Sequence, residues 1–75
     1  EGYKDRRARA LGTLASRVAE RVAASGTAVT LEPMPASERR IVHMALSEHR
    51  RVFTESVGSG SMRRVTVVPN GGSVG

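Results

Sequence analysis

The sequence predicts an α+β domain, two helices packed on one face of a small three-stranded sheet, in the order α-β-α-β-β. Three observations carry this reading. Two segments repeat apolar residues at helical spacings of three and four. Three shorter segments alternate apolar and polar residues or are rich in β-branched side chains, and Pro and Gly clusters separate the segments. A chain of 75 residues has room for one such domain, with a thin core that buries roughly 60% of the surface of the unfolded chain.

The first helix is expected over 4–24. Leu11, Leu14, Ala15, Val18 and Val22 line one side of it, and Arg6, Arg9, Arg17, Glu20 and Arg21 fall largely off that stripe. Gly12 interrupts it and costs about 1 kcal/mol relative to Ala. Gly26 stands where a left-handed cap ends a helix. Ala28 to Glu32 alternates at period two and reads as a short half-buried strand, stopped by Pro33-Met34-Pro35. A second helix begins near Pro35 or Ala36 and runs to His49. Ile41, Val42, Ala45 and Leu46 cover one arc, while Arg39, His43, Ser47 and Arg50 share the opposite one, with Arg40 at its edge. Arg51 to Val57 is a strand with Val52, Thr54 and Ser56 on one face and Phe53, Glu55 and Val57 on the other.

Gly58-Ser59-Gly60-Ser61 reads as a flexible turn, so the last two strands should pair antiparallel as a hairpin. The third strand is expected over 62–68, ended by Pro69. The stretch from Val29 to Val57 can form a parallel crossover. Stacking the helices on Val29, Leu31, Val52, Val65 and Val67 supplies the core. The domain thus occupies 1–69, and 70–75 reads as a disordered tail.

Composition narrows the function classes. The chain has no cysteine, which removes disulfides, thiolate metal sites and cysteine nucleophiles. No apolar run approaches the roughly 20 residues of a membrane span, and the first residues lack the apolar core of a signal peptide. A soluble cytoplasmic domain without stable membrane insertion is expected. Twelve Lys and Arg against seven Asp and Glu give a formal charge of +5, and eleven of those twelve cations are arginine. Arginine suits planar, bidentate contacts to phosphate; a GC-rich coding sequence would produce the same bias.

Catalysis finds little support. His43 and His49 are six apart, not the i, i+4 spacing of a helical metal pair. Asp5 is the single aspartate, and no Gly-x-Ser-x-Gly elbow is present. Gly58-Ser59-Gly60-Ser61 resembles half of a phosphate-cradling loop, yet it joins two strands and lacks a lysine. Glu32 and Glu55 read as solvated edge residues rather than as an acid/base pair. No catalytic residue, metal ligand or cofactor is assigned, and the chain is not expected to be an enzyme. The basic stripe of Arg39, His43 and Arg50 is more informative: it suits phosphates and unpaired bases, although a solvated helix face, or a histidine bonded within the fold, would look the same.

Those residues fall into a known pattern. Glu38-Arg39-Arg40-Ile41-Val42-His43 contains Arg-x-x-x-His, the defining element of the R-three-H domain. Around it, Leu31-Glu32-Pro33-Met34, Val52-x-Thr54-x-Ser56-x-Gly58 and Arg63-Arg64-Val65-x-Val67-x-Pro69 closely resemble the R-three-H domain of bacterial Jag-type proteins, over roughly residues 8 to 69. The resemblance implies a module for single-stranded RNA or DNA, with Arg39 and His43 on the binding surface. It also implies a KH domain just before this segment, and a link to the membrane insertase and to cell elongation. One departure stands out: Gly58-Ser59-Gly60-Ser61-Met62 replaces the acidic, Pro-containing turn usual before the last strand.

The expected mechanism is sequence-tolerant binding of a single strand across Arg39, His43 and Arg50, with Arg40, Arg63 and Arg64 adding attraction. Arg63 and Arg64 must point to opposite faces of their strand, and Arg63 is the one expected on the second-helix side. Four neutralised phosphates would give a salt slope of about −3. With Tyr3 and Phe53 as the only aromatics, affinity should be micromolar or weaker. A His43 that gains charge would make binding tighten as pH falls through about 6.5. The competing reading is a protein-interaction module whose basic face meets an acidic partner.

Overall fold

The structure is a computed structural model and describes residues 2–70, apart from the side chains of residues 3 and 4. Its elements are α1 (Gly2–Ser25), β1 (Val29–Thr30), α2 (Ala36–Ala45), β2 (Val52–Val57), a 3-10 turn (Gly60–Met62) and β3 (Arg64–Pro69). The order is the expected α-β-α-β-β.

Helix α1 buries a narrower stripe than its sequence offers. Leu11, Ala15, Ala19 and Val22 are buried, whereas Leu14 is 42% exposed and Val18 only half covered. The sheet beneath is three strands wide, so the flank of the stripe overhangs its edge beside β1. Gly26 ends the helix as expected: its φ is +75° and its N–H reaches the Val22 carbonyl at 2.8 Å.

The sheet has the order β1-β3-β2, and both pairings are antiparallel. β1 and β2 therefore run in the same direction, as a crossover requires, but β3 is inserted between them and they do not touch as neighbours. The central place goes to the strand whose Val65 and Val67 are both fully buried. Register puts Val29, Val67 and Thr54 across one face, with Val65 beside Ser56, and this face lies under the helices. Phe53, Glu55, Val57, Arg64 and Thr66 line the opposite face, where Phe53 is 46% exposed.

The boundaries depart most from expectation at three places. β1 holds only Val29 and Thr30, because Pro33 and Pro35 lack the N–H groups a longer ladder would use. Helix α2 stops at Ala45 rather than His49. There the Ser47 hydroxyl and backbone N–H both go to the Met44 carbonyl, at 3.0 and 3.3 Å, which converts the helical repeat into a tighter turn. The turn is held to α1, since Nε2 of His49 lies 3.5 Å from the Glu20 carboxylate. Finally, the 58–61 loop winds into a 3-10 turn, so β3 starts at Arg64. Asn70, expected to open the tail, is tied back: its N–H donates to the Arg51 carbonyl at 2.8 Å and its side-chain amide to that of Arg50 at 3.3 Å. The rest of the expected tail, 71–75, lies outside the described residues.

Candidate nucleic-acid interface

Helix α2 sits differently from its predicted orientation. Val42 is its buried residue, Leu46 just past its end is buried too, Ala45 is exposed, and Arg39 and His43 are half-buried. The buried arc is thus rotated toward Arg39 and His43. They flank the core stripe instead of opposing it: β2 presents the Thr54 and Ser56 hydroxyls to His43 where an apolar face would exclude it, and Arg39 reaches the Met34 carbonyl. The hydrogen bonds that result define a polar corner between α2, β2 and the start of β3.

His43 is the hinge of that corner. Its Nδ1 lies 2.6 Å from the Thr54 hydroxyl and its Nε2 2.9 Å from the Ser56 hydroxyl. A neutral imidazole donates from one nitrogen and accepts at the other, and each hydroxyl rotates to supply the complementary role. Both hydroxyls could accept from a protonated ring, so the hydrogen bonds alone do not fix its charge. Burial does, and the Arg39 and Arg63 guanidinium groups repel a further positive charge; together they hold His43 below the usual histidine range. The ring is therefore neutral near pH 7. Any tightening of binding through protonation of this ring is displaced below the ordinary histidine range.

The two cations are held without being neutralised. Arg39 donates from a terminal nitrogen to the Met34 carbonyl at 2.6 Å, and Arg63 donates to the Gly58 carbonyl at 2.7 Å. Neither is in an ion pair among the described residues, where the pairs are Arg7 with Glu38 and His49 with Glu20. A carbonyl orients a guanidinium while leaving its full charge and most of its five N–H donors for something else. Beside Arg39 opens a cleft of about 530 Å³, walled by Pro33, Met34, Pro35 and Ala36 on one side and by Gly60 and Ser61 on the other. Gly58 shapes the second wall: its φ is +87°, and a Cβ there would stand 3.0 Å from the Met62 carbonyl oxygen.

The remaining expected site residues disperse. Arg40 is exposed on α2 and makes no hydrogen bond or ion pair among the described residues. Arg50, expected in line with Arg39 and His43, lies beyond the helix, which ends five residues earlier, at Ala45. Arg64 pairs in register with Val57 on the open face of the sheet, and its Nε donates to the Leu31 carbonyl at 2.9 Å. Sequence reasoning missed Thr54 and Ser56 as members of the corner. The signal was present: period-two alternation puts both on the same face as buried Val52, and two hydroxyls on a core-facing row need a partner.

Fold and corner together define a small α+β module with an Arg-x-x-x-His pair docked on its sheet by the second helix. The chain belongs to the R-three-H domain family, whose pattern matches residues 9–69. It is similar to the RNA-binding protein KhpB of Clostridium symbiosum, at 42% identity over 67 residues that cover 89% of this chain and 30% of that protein. The RNA-binding protein KhpB of Lactiplantibacillus plantarum is 40% identical over 67 residues, covering 89% of this chain and 21% of the relative. That of Bacillus subtilis is 36% identical over 69 residues, covering 89% and 33%. The chain thus spans between 21% and 33% of the length of these relatives. Among the described residues no helix is long and apolar enough to cross a membrane, and no group of three or more His, Asp or Glu could hold a metal ion.

Proposed function

We propose that this chain is a binding module for single-stranded RNA or DNA, and that Arg39 and Arg63 are its principal phosphate contacts. The observation that carries the reading is the pair of guanidinium groups oriented by backbone carbonyls, unpaired with carboxylate, on either side of His43. Gathering like charges without neutralising them costs folding energy, and an anion relieves that cost. The adjoining cleft, walled by prolines, Met34 and glycine, accepts the flat face of an unpaired base. Membership of the R-three-H family and the RNA-binding names of the relatives support the same conclusion.

His43 acts here as a positioning residue that ties α2 to β2. Arg40 and Arg50 add long-range attraction, and Arg64 reaches the strand only if it tracks round to the open sheet face. The module binds rather than catalyses. In the longer protein suggested by the relatives it works beside a KH domain in the cytoplasm, where linkage raises a weak individual affinity; the insertase and cell-elongation link would belong to that whole protein.

An NMR titration of the labelled chain with a short oligouridylate, then with a duplex of matching length, tests this. Shifts should gather on Arg39, His43, Thr54, Ser56 and 58–63, more strongly for the single strand. With three or four phosphates engaged, the log–log salt slope should lie at about −2 to −3. Absence of shifts, or a slope near zero, would refute the reading and direct attention to an acidic protein partner.

A further inference from the structure

We propose that the groove between α1 and the edge strand β1 is a second docking site, which takes an extended peptide of a partner protein with alternate aliphatic side chains and carboxylates at its C-terminal end. The far end of the groove shares Pro33 and Met34 with the cleft beside Arg39, but the proposal uses neither of them nor Arg39, His43 or Arg63, and it does not rest on nucleic-acid binding. The overhang of α1 creates the groove. Two cavities of about 280 and 380 Å³ lie end to end along it and share Leu14 as a common wall. Val18 and Val29 complete the floor of the first; Leu11 and Leu31 belong to the second. The floor is aliphatic, charged side chains stand at its rim, and the lining contains no aromatic ring on which a base could stack, which favours a peptide over a nucleic acid.

The backbone beside the groove is free to pair. Leu31 donates its N–H to the Val65 carbonyl at 2.8 Å, so its side of the ladder faces β3. Thr30, one residue earlier and opposite Thr66, must turn its N–H and C=O the other way, toward the open edge. An added strand would bond there and send alternate side chains, about 7 Å apart, to either side of Leu14. This is strand addition to an exposed edge, with pockets reading every second residue.

Charge sets the orientation. Arg17 and Arg21 stand one helical turn apart at the Val29 end, exposed, with no hydrogen bond or ion pair among the described residues. At the other end Arg7 is paired with Glu38 at 3.0 Å, and Glu32 adds a negative charge. A peptide running antiparallel to β1 brings its C-terminal end to Arg17 and Arg21 and keeps its acidic residues away from Glu32.

The test uses the full 75-residue chain, ¹⁵N-labelled, and an acetylated heptapeptide of alternating valine and serine ending in two glutamates. Saturable shifts are expected at 28–31 and along 14–21, while His43 and Arg63 stay still. N-methylating the peptide amides that face Thr30, or replacing its glutamates by lysines, should weaken binding about tenfold or more. Arg17→Glu with Arg21→Glu should do the same with the spectrum elsewhere unchanged. No shifts, or binding indifferent to N-methylation, overturns the proposal. So does movement of the groove amides with oligouridylate alone, which would give the surface to nucleic acid. Shifts that appear on concentrating the chain without peptide would give it to a second copy and overturn the proposal as well.

Discussion

The arginines of the α2–β3 corner and those along α1 carry the same charge under different constraints. Arg39 and Arg63 each surrender one N–H to a backbone carbonyl. Arg17 and Arg21 surrender none among the described residues. A pinned guanidinium has lost its rotamer freedom before a ligand arrives, so its remaining donors contribute to binding without that entropic penalty. A free one contributes chiefly attraction at a distance. Net charge counts the two kinds alike, and only the structure separates them.

The largest effect that would break this comparison concerns the scaffold of the corner. His43→Ala removes the groups that pair Thr54 and Ser56, and thermal or urea denaturation should show a loss of about 1–3 kcal/mol. A loss below the error of measurement would mean that His43 holds nothing together. Next come two glycines, one from each region. Gly58→Ala forces an alanine into a positive φ with its Cβ 3.0 Å from a carbonyl oxygen, and should cost about 1–2 kcal/mol. Gly12→Ala meets nothing within 4 Å and should stabilise α1 by up to about 1 kcal/mol. Opposite signs are the expectation, and like signs would erase the contrast.

Binding supplies the next test. Arg39→Lys keeps the charge but loses the planar fork, and should weaken oligonucleotide affinity several-fold, whereas Arg17→Lys should leave it unchanged in a fluorescence anisotropy titration. Stability against pH gives the smallest signal. His43 is held below its ordinary range in the folded chain, so the unfolded chain takes up the proton first as pH falls. Its contribution is complete above about pH 6.5 and is lost as pH drops below that value. Glu38, lowered chiefly by its hydrogen bond from Arg7, behaves alike below about 4.5. Denaturation midpoints should therefore decline from neutral to mildly acid pH in the native chain and decline less in His43→Gln. An equal decline in both would assign the effect to other groups.

Much of this architecture was legible because it rests on local patterning. Leu11, Ala15 and Val22 announce their helix by spacing, Gly26 its end, and Val65 and Val67 their strand by alternation. What could not be read was set by distant partners. The early end of α2 depends on Ser47 competing for a carbonyl and on a turn that must deliver Val52 to the core. The rotation of α2 toward Arg39 and His43 depends on Thr54 and Ser56, which are 11 and 13 residues away from His43 in sequence. Arg50 looked aligned with Arg39 only on a helix that had already stopped. The Arg-x-x-x-His spacing picked out two neighbours on one side of α2, but not that its histidine would face inward onto β2.

The order of the strands also bears on how the chain comes to be folded. β1 and β2 each hydrogen-bond to β3 and not to one another, and β3 follows both in sequence. On a ribosome, neither edge can zip until that strand has left the exit tunnel. Until then both edge strands lack their sheet partner, since the ladder on the β1 side joins residues more than 30 positions apart. Synthesis of the final strand is thus the event that converts a collection of segments into a sheet. A chain stopped one strand short would keep its helices' sequence and have no sheet on which to set them.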